Sequence, residues 1–464
     1  MENRTMRTIG LASLGCSKNL VDSEVMLGLL SQGGYEVVEA YQDADVIIVN
    51  TCAFIGPAKE ESIDTILELA RFKEDGRCSS LVVTGCMAQR YSKELVSDIP
   101  EIDAVIGVHQ YPQIVPLLDQ LQENDDTLRD IRRVPPATDF SYPRIVQTPP
   151  HSVYLKIAEG CDRRCTFCII PAIRGKQGSR TVASLVDEAR ILAAQGAKEL
   201  NLISQDTTWY GKDLPEPATL PELLRALNDV DGIRWIRPLY NHPVRFTDDI
   251  IQAIAELEHV CNYIDMPLQH ISDHMLTGMN RETSRKEIER LLVKVRDAIP
   301  GLTFRTTFIV GFPGETDDDF QQLYDFVAES AFDRVGVFPY SVEEHTPAAR
   351  YPEQVSEEVK QERYDRLMAL QRGISLARNQ KLIGKTFDVL IDEPGAVDTP
   401  AIGRTEADAP EVDKEVLIYG AEVEQGAFLP IHITDALEYD LVGEVVYQEQ
   451  TALQTLESLN PRTL

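Results

Sequence analysis

Three cysteines stand close together in the middle of the chain, at a spacing suited to an iron–sulfur cluster. They are Cys161, Cys165 and Cys168, which form a C-x3-C-x2-C pattern in the segment EGCDRRCTFCIIPAIRG. Three thiolates on one loop can hold three irons of a 4Fe-4S cube and leave the fourth iron open to another ligand. The alternative is a structural zinc site, but closed zinc sites use four ligands, and of the eight histidines only His151 lies nearby in sequence. The pattern therefore favours a cluster.

Three further cysteines each follow an apolar run near the N-terminus. Cys16 follows TIGLASLG, Cys52 follows ADVIIVNT and Cys86 follows SLVVTG. The carboxyl ends of parallel strands form the ligand crevice of an open sheet, so we expect these three thiols to converge there. The alternative is that they are buried cysteines acting as small apolar residues. Cys78 and Cys261 match no pattern and are expected to be ordinary thiols.

The first 147 residues alternate apolar strand-like runs with helix-like segments. The runs TIGLASLG, ADVIIVNT, SLVVTG and DAVIGV are each followed by a helix-like stretch. This alternation is typical of a doubly wound parallel α/β sheet. We therefore predict an N-terminal α/β domain over residues 1–147, followed by a linker around Val134–Pro150 that is rich in proline and polar residues.

A second α/β series occupies residues 148–377. Its strand candidates are SVYLKIAEG, ELNLISQD, IRWIRPLY, YIDMPLQH, TFRTTFIVGFPG and RVGVFPYS. Six such units suit a partial (β/α) barrel whose active site lies at the carboxyl ends of the strands. Residues 378–446 contain short alternating strands broken by Gly, Pro and Asp, which predict a small antiparallel β-barrel; the runs are TFDVLIDE, EVLIYG, AFLPIHITDALEYD and LVGEVVYQ. Residues 447–464 are expected to be a C-terminal tail.

The charge balance limits the choice of partners. The 464-residue chain has 45 basic and 75 acidic residues and a formal net charge of −30. This balance disfavours strong general binding to nucleic acid, which depends on Lys and Arg, and favours a basic partner; an acidic surface that only maintains solubility is the alternative. No apolar run is long enough to span a bilayer and no signal-peptide core is present, so we expect a cytoplasmic protein without a membrane partner.

The central cysteine motif resembles that of the radical S-adenosylmethionine (SAM) superfamily. The likeness lies in the form C-x3-C-x-aromatic-C, with Phe167 before the last cysteine. The resemblance implies that Cys161, Cys165 and Cys168 bind a 4Fe-4S cluster whose open iron chelates SAM, and that Phe167 lies near the adenine. Plain core packing is the alternative for Phe167.

Two more segments resemble SAM-binding motifs of the same superfamily. GAKELNLISQD implies that Glu199 approaches the amino group of SAM, with a surface turn between helix and strand as the alternative. GFPGET implies that Gly311 and Gly314 lie close to the ribose and methionine ends, where glycine permits a backbone approach that side chains would block. The order of the three motifs along the chain strengthens the resemblance.

Three N-terminal segments extend the resemblance to one family over nearly the whole chain. SLGCSKNLVDSE, NTCAF and TGCMAQR are similar to segments of the radical SAM methylthiotransferases. The resemblance implies that Cys16, Cys52 and Cys86 hold a second 4Fe-4S cluster with an open iron, and that the terminal barrel is a TRAM-like domain. GCSKN and IDMPLQH resemble the branch that modifies the β-carbon of an aspartate in small-subunit ribosomal protein twelve, rather than the tRNA branch.

The terminal barrel is too acidic for a typical RNA-binding module. Residues 378–446 contain five basic and fifteen acidic side chains, a net charge of −10. This charge favours a basic ribosomal protein or the ribosome as substrate. The implied chemistry also requires a low-potential electron donor of the flavodoxin or ferredoxin type. Two other functions stay open: a tRNA adenosine methylthiotransferase, which shares every cluster motif, and a non-catalytic iron–sulfur carrier or sensor.

Overall fold

A six-stranded parallel sheet forms the N-terminal part of the protein. The computed structural model describes residues 7–123, 127–132, 142–396, 399–420 and 422–447. The elements of this part are β1 (Arg7–Ser13), α1 (Ser17–Gln32), β2 (Tyr35–Val37), β3 (Val46–Thr51), α2 (Gly56–Ala70), α3 (Phe72–Asp75), β4 (Ser80–Gly85), α4 (Cys86–Asp98), β5 (Ala104–Ile106), α5 (Ile114–Glu123) and β6 (Leu128–Asp130). The strand order is β2-β1-β3-β4-β5-β6 with parallel pairings throughout.

The sheet is doubly wound because alternate apolar side chains enter two different cores. Ile47 and Val49 of β3 pack in one core with residues of α2 and α4. Val46 and Ile48 pack in the other core with residues of α1 and α5. Every residue of β3 is buried, as expected for a parallel strand covered by helices on both faces. The predicted architecture is confirmed, and the short edge strands β2 and β6 are additions to it.

Six longer parallel strands form a partial barrel in the central part. Its elements are β7 (Ser152–Lys156), β8 (Ala158–Glu159), α6 (Ile170–Arg174), β9 (Gly178–Ser179), α7 (Val182–Ala194), β10 (Glu199–Ile203), α8 (Leu220–Asn228), β11 (Trp235–Pro238), α9 (Asp248–Glu256), β12 (Tyr263–Asp265), α10 (Asp273–Gly278), α11 (Arg285–Ala298), β13 (Thr303–Val310), α12 (Asp317–Ser330) and β14 (Arg334–Pro339). Two sheets, β7-β10-β11 and β12-β13-β14, are joined by a parallel bridge between Ile236 and Val260. Each of the six barrel strands lies within a predicted run, so the partial (β/α) barrel is confirmed, and only the two-residue strand β9 lies outside the predicted runs.

The segment expected to be a linker is held tightly in its second half. Residues 134–141 lie outside the described ranges. The Arg144 side chain is buried, and its guanidinium donates to Glu24 of α1 at 2.7 Å and to Glu188 of α7 at 2.8 Å. The sheet and the barrel belong to one compact unit, residues 1–368. The domain boundary at 147/148 therefore stays a prediction. The described residues just before it are not a loose linker, because Arg144 bonds both to α1 of the sheet and to α7 of the barrel.

A closed five-stranded barrel forms the core of the second compact unit, residues 369–464. This unit includes the C-terminal part of helix α13 (Glu357–Gln380). Its strands are β15 (Thr386–Glu393), β16 (Ala401–Thr405), β17 (Val416–Ile418), β18 (Phe428–Ala436) and β19 (Leu441–Val445). The order is β15-β16-β17-β19-β18, with one parallel pair, β17 and β19, among antiparallel ones. The predicted barrel is confirmed.

Strand β16 was not predicted from the sequence. A glycine interrupts it, and a Cβ at Gly403 would lie 2.5 Å from Val389 Cγ1. The boundary predicted at 377/378 lies inside α13, and nearly all of the expected tail, residues 448–464, lies outside the described ranges. Among the described helices, none has both the length and the apolar composition needed to cross a bilayer.

Candidate metal and cofactor site

The N-terminal triplet (Cys16, Cys52 and Cys86) meets at the carboxyl edge of the first sheet. Cys16 directly precedes α1, Cys52 follows β3 and Cys86 begins α4, so each lies where one of three neighbouring strands ends. A Cβ at Gly15 would lie 3.0 Å from Cys52 Sγ. Burial raises the pKa of Cys86 to about 12; Arg174 opposes this rise, and Cys16 and Cys52 add to it. The structure thus brings together three cysteines that are far apart in sequence.

The central triplet (Cys161, Cys165 and Cys168) lies on the loop between β8 and α6, at the carboxyl end of the barrel. Arg163 N donates to Cys161 Sγ at 3.4 Å, and Arg281 Nη1 donates to Cys165 Sγ at 3.3 Å. Burial, with a smaller contribution from the nearby Cys165, raises the pKa of Cys161 to about 11 and that of Cys168 to about 12. The three thiols therefore share one site.

Cysteine thiolates are ligands both of zinc ions and of iron–sulfur clusters. In the part of the chain that the structure describes, no three Cys, His, Asp or Glu side chains are grouped closely enough to hold one metal ion. A zinc ion would draw its ligands to about 2.0–2.3 Å from one point, whereas each thiolate of a 4Fe-4S site binds a different iron. Buried thiols of raised pKa stay protonated unless a positive charge is supplied, and iron bound there would supply it.

The structure brings Phe167 and the glycine-rich motif together. Phe167 packs in an apolar group with Phe312 of GFPGET and with Tyr340. Gly311 has φ +72°, and a Cβ there would overlap the Lys360 side chain, so close packing by itself requires glycine at this position. Gly314 has φ +83° and more open surroundings, with Glu353 Oε2 3.6 Å from the Cβ position.

The glycine-rich loop is anchored by a buried carboxylate that the sequence interpretation did not single out. Glu315 accepts hydrogen bonds from the Gly311 backbone and from Arg363 Nη1, the latter at 2.7 Å. His270 Nε2 lies 3.0 Å from the other carboxylate oxygen of Glu315. These contacts fix the turn that carries Gly311 and Gly314.

The structure does not bring Glu199 to the cysteine loop. Glu199 is the first residue of β10, which places it at the amino end of the barrel, about 13 Å of strand away from the carboxyl end. It is fully buried, receives a hydrogen bond from Ser152 Oγ at 2.7 Å and pairs with Arg237 at 3.0 Å. These are the contacts of a core ion pair, and the expected contact with SAM stays a prediction. The position of Glu199 at the start of a parallel strand, at the end opposite the cysteine loop, can be read from the sequence.

A buried ion network, which sequence reasoning missed, joins the two cysteine groups. It consists of Asp22 on α1 and of Lys156, Glu159 and Arg174 in the barrel. Lys156 Nζ contacts Asp22 and lies 3.0 Å from Glu159, while Arg174 Nη1 lies 2.8 Å from Glu159 and 3.3 Å from Asp22. Arg174 also donates to Asn19 Oδ1, whose other contact is Cys86 Sγ at 3.8 Å.

The network has a detectable sequence signal. Lys156 and Glu159 interrupt the apolar run SVYLKIAEG, and a charge inside a buried strand needs a partner. Burial alone would depress the pKa of Lys156, but Asp22 and Glu159 raise it above its ordinary value. Arg174 and Lys156 lower the pKa of Glu159, whereas burial raises the pKa of Asp22 against the opposing effect of the same two cations. The network connects α1 to the barrel.

Three parts of the chain match known families. Residues 8–107 match the uncharacterized protein family UPF0004, residues 155–327 match the radical SAM superfamily and residues 383–446 match the TRAM domain. The three matches correspond to the first sheet, the partial barrel and the closed barrel.

Curated relatives are similar over nearly the whole chain. The ribosomal protein uS12 methylthiotransferase RimO of Clostridioides difficile is 49% identical over 96% of this chain and 100% of the relative. The protein of the same name from Pelobacter propionicus is 48% identical over 97% of this chain and 100% of the relative. That from Heliobacterium modesticaldum is 48% identical over 94% of this chain and 95% of the relative.

Solved structures share the fold at low identity. The radical SAM methyltransferase TsrM from Kitasatospora setae, solved with cobalamin and a [4Fe-4S] cluster, has a TM-score of 0.55 at 16% identity, covering 83% of this chain and 77% of TsrM. The cobalamin-dependent SAM radical enzyme OxsB, solved with aqua-cobalamin and SAM, has a TM-score of 0.50 at 14% identity, covering 80% of this chain and 56% of OxsB.

Proposed function

We propose a function on the premise that the chain belongs to the family of ribosomal protein uS12 methylthiotransferases, which are radical SAM enzymes. The protein transfers a methylthio group to the β-carbon of an aspartate in ribosomal protein uS12. The observation that carries this proposal is the placement of two cysteine triplets in one compact unit, one at a sheet edge and one at a barrel mouth. The family relation supports uS12 as the substrate, and the positions of the cysteines support a reaction that uses two iron–sulfur clusters.

Two 4Fe-4S clusters and SAM are the cofactors in this proposal. The central triplet holds one cluster, and the N-terminal triplet holds the other. When bound, these groups supply the radical that removes hydrogen from an unactivated carbon and the sulfur that takes its place. Phe167 and Phe312 give the SAM site an apolar wall that excludes water. Arg281 holds Cys165 in place through its contact with the thiol sulfur.

The ion network positions the two triplets relative to each other. Arg174 is the last residue of α6, the helix that follows the central loop, and its guanidinium extends to Asn19, directly beside the N-terminal triplet. Because the four charges of the network are buried and mutually paired, any shift of α1 against the barrel would leave a charge without its partner. The network thus holds the sulfur-supplying site at a constant distance from the radical site.

The closed barrel supports a basic protein as partner rather than RNA. Of its five basic residues, Arg404 and Lys414 are buried, and Arg404 pairs with Asp392 at 2.7 Å. The exposed acids are Asp388, Glu393, Glu411, Glu415, Glu422, Glu424, Asp435, Glu438 and Glu444. Burial and the nearby Asp440, Glu393 and Asp392 raise the pKa of Glu415, as expected where carboxylates crowd together. The exposed face is therefore more acidic than the composition indicates.

The proposal includes a low-potential electron donor of the flavodoxin or ferredoxin type, because iron–sulfur potentials reach about −700 mV. A cytoplasmic location remains an expectation. The names of the relatives favour neither the tRNA adenosine methylthiotransferase nor the non-catalytic carrier or sensor considered above.

Mass spectrometry of uS12 from cells that lack the gene tests the function. We expect uS12 to lose the mass of one methylthio group, and to regain it when the wild-type gene is supplied but not when a Cys16→Ala or Cys161→Ala gene is supplied. A loss of methylthio groups from tRNA with uS12 unchanged would contradict the proposal and point to the tRNA branch.

A further inference from the structure

Three cationic side chains surround one tryptophan at the mouth of the partial barrel. The Arg245 guanidinium lies 3.5 Å from the centre of the Trp209 ring, Lys212 Nζ lies at 4.9 Å and the Arg163 guanidinium lies at 5.2 Å. We call this group the cation site. Contacts of this kind between a cation and an indole face are favourable, but three positive charges around one ring also repel one another.

The acids next to the cation site leave positive charge in excess. Arg163 pairs with Asp206 at 2.7 Å and with Glu282 at 2.9 Å. Within the described ranges, neither Lys212 nor Arg245 has an acidic side chain at ion-pair distance. The buried Nη2 of Arg163 and the buried Nε of Arg245 have no hydrogen-bond partner. Two of the three cations therefore have unused capacity to bind an anion.

Neighbouring titratable groups respond to this excess charge. Partial burial, and then Arg245 and Arg163, lower the pKa of Lys212. Burial, and then Arg281, Arg163 and Arg245, hold the pKa of His242 far below its ordinary value, so His242 is neutral. An anionic ligand would relieve the repulsion among the cations, because its charge opposes all of them at once.

The cation site opens to solvent in front of the central triplet. Arg163 lies between Cys161 and Cys165 on the cysteine loop, while Lys212 and Arg245 follow the carboxyl ends of β10 and β11. Lys212 is exposed and Arg245 is partly exposed. A side chain of a macromolecule can therefore reach these cations from outside while it approaches the cysteine loop.

We propose that Arg245, Lys212 and Arg163, together with Trp209, form a carboxylate site that binds the acidic side chain of the protein substrate in front of the central triplet. This proposal rests on the proposed function. A planar guanidinium binds a carboxylate through two parallel hydrogen bonds, which suits an aspartate better than an uncharged side chain. The carboxylate of SAM has the same chemistry, but the exposed position of Lys212 favours a group that arrives with the substrate.

Anaerobic binding of two peptides without turnover tests the site. The peptides span the modified region of uS12 and differ only in an aspartate or an asparagine at the target position. We expect wild type to bind the aspartate peptide about tenfold more tightly, which corresponds to about 1.4 kcal/mol. In Arg245→Gln/Lys212→Gln both peptides should bind equally, and Arg245→Lys should lie between. Arg225→Gln, which removes an exposed charge on α8, is the matched control and should keep the tenfold preference.

The other outcomes overturn the proposal in distinguishable ways. A weaker affinity for SAM in the glutamine variants, with the peptide preference intact, would assign the site to the SAM carboxylate. An unchanged preference and unchanged SAM affinity would remove any role in carboxylate binding. Iron content and the thermal transition of each variant show whether it folds. If Arg245→Gln/Lys212→Gln does not fold, a reduced preference for the aspartate peptide in Arg245→Lys tests the proposal by itself. If wild type binds neither peptide, the proposed substrate fails, and this inference fails with it.

Discussion

The two cysteine triplets differ in how the protein assembles them. The central triplet lies within eight consecutive residues of one loop, Cys161–Cys168, so the spacing of the chain by itself keeps its thiols together. The N-terminal triplet comes from the ends of β1, β3 and β4, and its members are brought together only when the parallel sheet forms. The central site is therefore local in sequence, and the N-terminal site depends on tertiary structure. Substitutions that disturb the packing should therefore damage the N-terminal site before the central site.

Removal of the thiols should give the largest effects and separate the two sites. Replacing all three residues of the central triplet by Ala should remove about half of the roughly eight irons expected per chain and abolish SAM cleavage. Replacing the N-terminal triplet should also remove about half of the iron, but SAM cleavage should continue while methylthio transfer to uS12 stops. Iron and sulfide analysis after anaerobic reconstitution, with product detection, measures both. Full iron retention in either variant would show that the altered triplet holds no cluster.

Arg174→Met should destabilise the unit that carries both triplets. The substitution leaves Glu159 and Asp22 buried without one of their two cations, a loss that costs about 3–5 kcal/mol in comparable sites. Denaturant unfolding measures it. Arg190→Met is the matched control, because Arg190 is 66% exposed in its pair with Asp187 and should contribute less than about 1 kcal/mol. Equal losses in the two variants would show that the ion network is not structurally important.

The same network predicts how stability depends on pH. Burial would raise the pKa of Glu159, but Arg174 and Lys156 hold it well below its ordinary value of 4.5. A carboxylate whose pKa is depressed by folding stabilises the protein above that ordinary value, and this stabilisation is lost as the pH falls. In Arg174→Met the pKa of Glu159 should rise toward that ordinary value, so the loss of stability on acidification should be smaller than in wild type. Unfolding free energies recorded between neutral and acidic pH would show the same acid dependence in both proteins if Glu159 were not coupled to Arg174.

Gly15→Ala should damage the N-terminal site selectively. Gly15 has φ +89°, and an added Cβ would lie 2.7 Å from Cys52 Cβ, so the strand end that carries Cys52 has to move. We expect loss of the iron bound by the N-terminal triplet and retention of SAM cleavage. Gly34→Ala is the control: φ is +85° but no atom lies within 4 Å, so it should cost only about 1–2 kcal/mol of backbone strain. Similar iron losses in both variants would contradict the role of the Gly15–Cys52 contact.

Reversal of barrel acids should give the smallest effect. Asp408 is fully buried and accepts from Thr405 Oγ1 at 2.5 Å, so it is unsuitable for charge reversal. Glu411, Glu422 and Glu424 are exposed. Changing these three to Lys should weaken uS12 binding by a few-fold at low salt, with little effect at high salt, because exposed charges act mainly on encounter and are screened within about 8 Å.

The matched control changes three exposed acids of the first compact unit, Glu101, Glu258 and Glu329, to Lys and alters the net charge equally. If this control weakened uS12 binding as much as the barrel variant, total charge rather than the barrel surface would determine the affinity. SAM cleavage should be unchanged in both variants.

The sequence by itself determined the features that depend on neighbouring residues. Strands β4 and β15 coincide with the predicted runs SLVVTG and TFDVLIDE, because the apolar pattern of a strand is read over a few consecutive residues. The central triplet was identified for the same reason, since its spacing is itself the signal. Short strands such as β2, β6 and β16 lack a pattern of their own and form because neighbouring strands offer hydrogen-bonding edges.

Only the tertiary structure decided which charges meet. Asp22 and Lys156 are 134 positions apart, and Asp22 and Arg174 are 152 apart, so no local pattern pairs them. Likewise Arg163, Trp209 and Arg245 come from three separate loops that meet only because the strands of the barrel end at one mouth. Periodicity and spacing are local properties of a chain, whereas the pairing of buried charges depends on how distant segments close around them, and that closure exists only in the folded protein.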